Sequence, residues 1–172
     1  MRRPVRTILL AAVAASLVVP GTASAKNDAT RNDSPPTRPR PDATKRIGNI
    51  SIPKLGVTQT IYSGVTNSVF DLGVGYWPGT ALPGQNGNMV LGGHRTAGAR
   101  PFYDIQKLRI GDPIVVTRGN RTYTYVVNGS TIVRPTATWI LNQTESSTLT
   151  LFSCHPRGSV RQRYVVTASL QS

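Results

Sequence analysis

The chain has 172 residues, 38% of them hydrophobic, with 20 Lys and Arg against seven Asp and Glu, for a formal net charge of +13. One cysteine and two histidines exclude a disulfide-stapled scaffold and make a poor zinc set, which wants four ligands at characteristic spacing. The charge comes without a basic helix or a series of stacking aromatics, so nucleic-acid binding is not indicated.

The first 25 residues read as an export signal. Arg2, Arg3 and Arg6 form a basic start, Thr7 to Val19 is uncharged and mostly apolar, Pro20-Gly21 breaks the run, and Ala23-Ser24-Ala25 is a small-residue cleavage pattern. The apolar run is shorter than the ~20 residues a membrane-spanning helix needs. Cleavage after Ala25 is the first reading and an uncleaved anchor the second. The Arg2-Arg3 pair lacks the surroundings of a twin-arginine signal. Residues 26–46 hold Pro35, Pro36, Pro39 and Pro41 with almost no large apolar side chain, so they cannot offset the entropy of ordering and read as a basic, semi-extended tether. Residues 47–172 are left as one domain, large enough for a single core. It carries eleven basic and four acidic residues, a net of +7. That suits contact with anionic lipid or an acidic wall polymer, or is plain solubility charge.

Within the domain no segment keeps a helical period for long. Ile47 to Ile52 alternates as a strand and Pro53 stops it, and Val57 to Tyr62 is a second strand. Ser68 to Leu72 suggests a single helical turn. Tyr76 to Asn88, with Pro78, Gly79, Pro83, Gly84 and Gly87, reads as a long turn-rich loop. Asn88 to Gly93 is a strand running into His94. Phe102, Ile105 and Leu108, three apart, predict a short amphipathic helix over Arg100 to Arg109. Strands follow at Pro113 to Thr117 and Thr122 to Val127, then a mixed stretch over Ile132 to Leu141, a strand from Thr148 into Cys154, and a last strand from Arg161 to Leu170. About eight short strands separated by turns make an all-β domain, a closed or nearly closed barrel.

Cys154 and His94 each stand at the C-terminal end of a predicted strand, where loops present reactive groups. An unpaired thiol in an exported domain is either reactive or a small apolar filler of the core. A reactive thiol needs an acid/base partner, usually imidazole. His155 adjoins Cys154, and neighbours on an extended chain point to opposite faces, so His94 is the better partner. Arg161 and Arg163 share a face of the last strand, which forms a hairpin with the Cys154 strand. Either guanidinium can serve a developing oxyanion, or simply be a solvated edge charge.

These residues resemble the sortase family, and most closely its actinobacterial class E or D members, over residues 47–172. Ile52-Pro53-Lys54-Leu55-Gly56-Val57 is similar to the family's first strand region. Tyr76 to Gln85 resembles the loop before the catalytic histidine strand, which Asn88 to Arg95 resembles in turn, ending Gly93-His94-Arg95. Thr150-Leu151-Phe152-Ser153-Cys154 resembles the nucleophile motif Thr-Leu-x-Thr-Cys, with Ser153 keeping the hydroxyl of the second Thr and losing a methyl. Arg163 before Tyr164-Val165-Val166 fits the catalytic arginine, whereas Arg161 does not. The resemblance implies a closed eight-stranded sortase-type β-barrel with one or two short helices, and no cofactor or metal. It implies Cys154 as nucleophile, His94 as acid/base and Arg163 as oxyanion stabiliser; substrate-binding residues are unassigned. The implied reaction cleaves a Leu-x-x-Thr-Gly type sorting signal of a secreted protein between Thr and Gly. The product is a thioester, which an amine of a peptidoglycan precursor or pilin resolves. The implied place of action is the outer face of the membrane or the cell wall, with secretion an alternative if the leader is cleaved. No acidic third member is visible near either motif. Two other readings stand beside this one: a catalytically idle sortase-like barrel that binds wall polymer or peptide, and a secreted thiol hydrolase of another kind. The intact trio favours the enzyme over the idle barrel. The order His, Cys, Arg disfavours papain-like and NlpC-type hydrolases, in which Cys comes first.

Overall fold

The computed structural model describes residues 45–171. The leader expected over 1–25, and the tether expected over 26–46 except for Lys45 and Arg46, lie outside the described residues. The elements in chain order are β1 (Arg46–Ile52), β2 (Val57–Ser63), α1 (Asn67–Leu72), β3 (Val74–Tyr76), β4 (Gly87–Gly92), β5 (Pro113–Arg118), β6 (Arg121–Val133), β7 (Ser147–His155) and β8 (Gln162–Leu170). The eight strands close into a barrel in the order β1-β2-β3-β4-β7-β8-β6-β5.

Alternating strands line the barrel with Ile50, Ile52, Ile61, Ile114, Val116, Leu149, Leu151 and Val166, which pack as one buried cluster with Phe102 and Tyr125. At ~25 cal/mol per Å² of apolar surface, a side chain of this size contributes about 1.5–3 kcal/mol when fully buried. β4 is different, because all six of its residues are buried. It pairs in parallel with β7 and is covered on both faces, so its sequence reads as a run without polar alternation. Its outer residue Val90 joins Ile140, Phe152 and Val165 in a second cluster outside the barrel, with Phe70, Trp77 and Leu141 against it. The segment between β6 and β7 is laced onto this outer wall by Asn88. Its Nδ2 donates to the carbonyls of Ile140 (2.9 Å) and Asn142 (3.1 Å), and its Oδ1 accepts from the Thr150 hydroxyl (2.9 Å).

Four expectations need correction. Arg100 to Arg109 is not an α-helix; it is a series of turns with one 3-10 turn at Ile105–Lys107. Phe102, Ile105 and Leu108 are nevertheless all buried. A strict spacing of three is the period of a 3-10 turn, whereas an α-helical face drifts to four. Second, β3 was not anticipated: it ends on Tyr76, the first residue of the expected turn-rich loop, and its three residues are all buried and show no alternation. Third, β6 runs through Asn128-Gly129 to Val133 as a 13-residue strand, absorbing what resembles a hairpin turn as a bulge between Val127 and Gly129. Fourth, β8 begins at Gln162, so Arg161 precedes the strand and does not share a strand face with Arg163.

Candidate active site

Three adjacent strands deliver the three sequence-predicted site residues to one end of the barrel. The parallel β4–β7 register ends on the pair Gly92–Phe152. Two residues further along each chain stand His94 and Cys154. The junction is held by Gly93 N–H donating to the Phe152 carbonyl (3.2 Å) and by the Ser153 hydroxyl donating to the Gly93 carbonyl (2.8 Å). Ser153 is 2% exposed, so this hydroxyl satisfies a carbonyl that water does not reach. Gly93 must lack a side chain here: a Cβ would lie 2.8 Å from Pro101 and 2.9 Å from the Phe102 ring. On the other side of β7, Cys154 stands directly opposite Arg163 in the antiparallel β7–β8 register. Opposite residues project to the same face of a sheet, so the thiol and the guanidinium leave the barrel together.

Cys154, His94 and Arg163 line one cleft of about 590 Å³, within the range of small-molecule and peptide pockets. Its apolar wall is the outer cluster: Phe70, Trp77, Ile140, Leu141 and Phe152. Arg163 Nη1 donates to the carbonyls of Val160 and Gln162, both at 2.9 Å, which folds the guanidinium over the turn between β7 and β8. Arg161 is exposed and does not line the cleft. His155 points away from it, packed on Tyr164 with ring centroids 5.7 Å apart.

Two residues at the site carried no role in the sequence reading. Asp71, at the end of α1, places Oδ1 3.3 Å from His94 Nε2. Phe70 beside it meets the imidazole edge-on, with centroids 5.6 Å apart. Asp71 lies 23 residues before His94 and carries no motif, so only the fold reveals it. Arg95 had a signal, being the third residue of Gly93-His94-Arg95. It is a buried cation, 3% exposed, and among the described residues its direct partners are neutral acceptors. Nη1 donates to the Cys154 carbonyl (3.1 Å) and lies 2.9 Å from His155 Nδ1, Nη2 donates to Gln106 Oε1, and Nε donates to the Tyr103 carbonyl (3.4 Å). Burial, and then the charge of Arg157, hold its pKa below the usual arginine range. Burial, and then the charge of Arg95, push the His155 pKa down. Arg95 thus ties the residue after His94 to the backbone of Cys154 itself.

A thiol, an imidazole and a guanidinium around one cleft are the groups that nucleophilic acyl transfer requires. Comparison with known proteins places the chain in a family. The Sortase domain family profile matches residues 50–171. Sortase D of Bacillus subtilis is 28% identical, covering 74% of this chain; the chain spans 65% of that protein's length. Among solved structures, a Clostridium perfringens Sortase D5 transpeptidase superposes with a TM-score of 0.69 at 35% identity, covering 74% of this chain and 80% of that one. A sortase E variant from Streptomyces avermitilis gives a TM-score of 0.68 at 31% identity, covering 75% of this chain and 89% of that one. The chain belongs to the sortase family, and its relatives include members of classes D and E.

Proposed function

We propose that the chain is a cysteine transpeptidase that cleaves a Leu-x-x-Thr-Gly type sorting signal between Thr and Gly and transfers the acyl part to an amine. The observation that carries this reading is the direct opposition of Cys154 and Arg163 across β7 and β8, in the cleft that His94 also lines. The Cys154 thiol gives its proton to His94, and its sulfur attacks the Thr carbonyl carbon. The carbonyl oxygen takes up negative charge beside Arg163, whose planar fork suits an oxyanion. His94 gives its proton to the Gly nitrogen as the C–N bond breaks, leaving a thioester on Cys154. The acceptor amine then attacks the thioester carbon and loses its proton to His94. The C–S bond breaks, the sulfur takes that proton back from His94, and the enzyme returns to its starting state. The acceptor is an amine of a peptidoglycan precursor or a pilin, the donors are secreted proteins with a C-terminal signal, and the enzyme acts outside the cytoplasmic membrane.

The test is mass spectrometry of the enzyme incubated with Leu-x-x-Thr-Gly peptides. An acyl adduct is expected on the wild-type chain and not on Cys154→Ala. An adduct of equal yield on Cys154→Ala sinks the nucleophile assignment. A wild-type chain that binds peptide without forming an adduct or product makes this an idle barrel.

A further inference from the structure

The charge of the cleft points to a substrate feature that the reaction itself does not require. Among the described residues, four basic side chains, His94, Arg95, Arg134 and Arg163, line it, with no Asp or Glu among the described lining residues. Three of the four are engaged. His94 meets Asp71, Arg95 is held by its buried acceptors, and Arg163 is folded over backbone carbonyls. Arg134 makes no ion pair and no side-chain hydrogen bond among the described residues, although it faces the cleft. We infer that Arg134 takes a carboxylate of the substrate, and so makes the enzyme selective for acidic substrates. This rests on the transpeptidase reading.

The register gives the distance. Cys154 pairs with Arg163, and Arg163 pairs with Val133, the residue before Arg134. Two strand spacings of 4.7–4.9 Å put Val133 about 10 Å from Cys154 along the sheet. An extended peptide advances ~3.3 Å per residue. With the Thr carbonyl at Cys154, the two variable positions of the signal lie one and two residues upstream, within the span of the Arg134 side chain. The acceptor amine attacks the same carbon from outside, so a carboxylate close to that amine falls within similar reach. Both sources present the same chemistry.

The experiment measures kcat/KM for matched peptides carrying Glu, Gln or Lys at each variable position, with a neutral amine as acceptor. A second arm fixes a Gln peptide and compares glycine-based acceptors ending in a free carboxylate or an amide. Wild type, Arg134→Gln and Arg134→Glu are compared at low and at high salt. An exposed pair at a cleft rim is expected to give the acidic substrate about a three- to fivefold preference over the neutral one. That preference should fade as the Debye length shrinks from ~10 Å at 0.1 M salt to ~3 Å at 1 M. It should fall to about one in Arg134→Gln and turn toward Lys, or toward the amide acceptor, in Arg134→Glu. Discrimination in the first arm assigns the carboxylate to the signal, and discrimination in the second assigns it to the acceptor. Turnover that ignores charge in both arms, or a preference that survives Arg134→Gln, overturns the inference and leaves the transpeptidase reading intact. No turnover of any peptide overturns both.

Discussion

Asp71 poses a question of magnitude that the structure answers. Its carboxylate lies 3.3 Å from His94 Nε2, with the placement of the third member of a catalytic triad. Where such an aspartate is buried, its loss lowers turnover by ~10⁴. Here the Asp71 side chain is 48% exposed and that of His94 18%. A pair so open to water contributes about 0.2–1 kcal/mol, and at 1.36 kcal/mol per factor of ten this corresponds to no more than about fivefold in rate. Asn is the informative replacement because it keeps the volume. Asp71 packs against the loop at Gly98, where a Cβ would lie 2.7 Å from the Asp71 Cα. An acidic residue at the C-terminal end of a helix is also unfavourable to the dipole, so Asp71→Asn should not weaken α1. The expected outcome is a two- to fivefold loss of kcat/KM in peptide transpeptidation, shrinking at 1 M salt where the wild-type pair is screened. A loss of 10³ or more with an unchanged melting temperature would refute the exposure argument and make the site an obligatory Cys-His-Asp triad.

Arg163→Ala should lose on the order of 10²–10³ in turnover with little change in Tm, and Arg163→Lys should not restore it, because a point ammonium does not reproduce the planar fork. Arg161→Ala should lose far less, since Arg161 lies outside both β8 and the cleft; the reverse ranking in the same assay transfers the oxyanion role to Arg161. Ser153→Ala removes the buried donor to the Gly93 carbonyl. It should destabilise the domain by about 1–3 kcal/mol in urea unfolding, because the carbonyl is left unpaired; a change below about 0.3 kcal/mol counts against the hydroxyl as the tie between β4 and β7. His155 provides a pH test. Its folded pKa lies below the ordinary 6.5, burial first and Arg95 second, so below that value the unfolded chain binds the extra proton more readily. Its contribution to stability is complete above about pH 6.5 and is lost as pH falls toward the depressed folded value. In urea unfolding from pH 8 to 5, His155→Gln should lose less stability on acidification than wild type, and equal losses remove His155 as the cause.

By itself the sequence determined the parts of the protein that rest on short-range pattern. Short runs between turn signals located seven of the eight strands: period two is written in those with one face in the barrel, whereas β4, buried on both faces, shows as a run without alternation. Cys154, His94 and Arg163 stood out as candidates because each sits in a local motif at a strand end, and the structure brings all three to one cleft. Features without a local period were not legible. β3 is three buried residues and cannot alternate, and the turns over Arg100 to Arg109 repeat every three residues, which a search for helices reads as helix.

Tertiary structure alone decided which distant groups meet at the cleft. Sequence placed Arg161 and Arg163 on equal terms until the family register separated them; the β7–β8 pairing gives a geometric reason by setting Arg163 opposite Cys154. Asp71 reaches His94 because α1 lies against the loop that follows β4, and nothing in the residues around Asp71 encodes that approach. Arg95 becomes a buried clamp only once the β4 and β7 chain ends lie side by side, since it and Cys154, whose carbonyl it holds, are 59 positions apart in sequence. The apolar cleft wall likewise depends on Asn88 holding the Ile140 and Asn142 carbonyls across more than 50 residues. Such contacts follow from strand order and closure of the barrel, and a one-dimensional pattern does not carry that information.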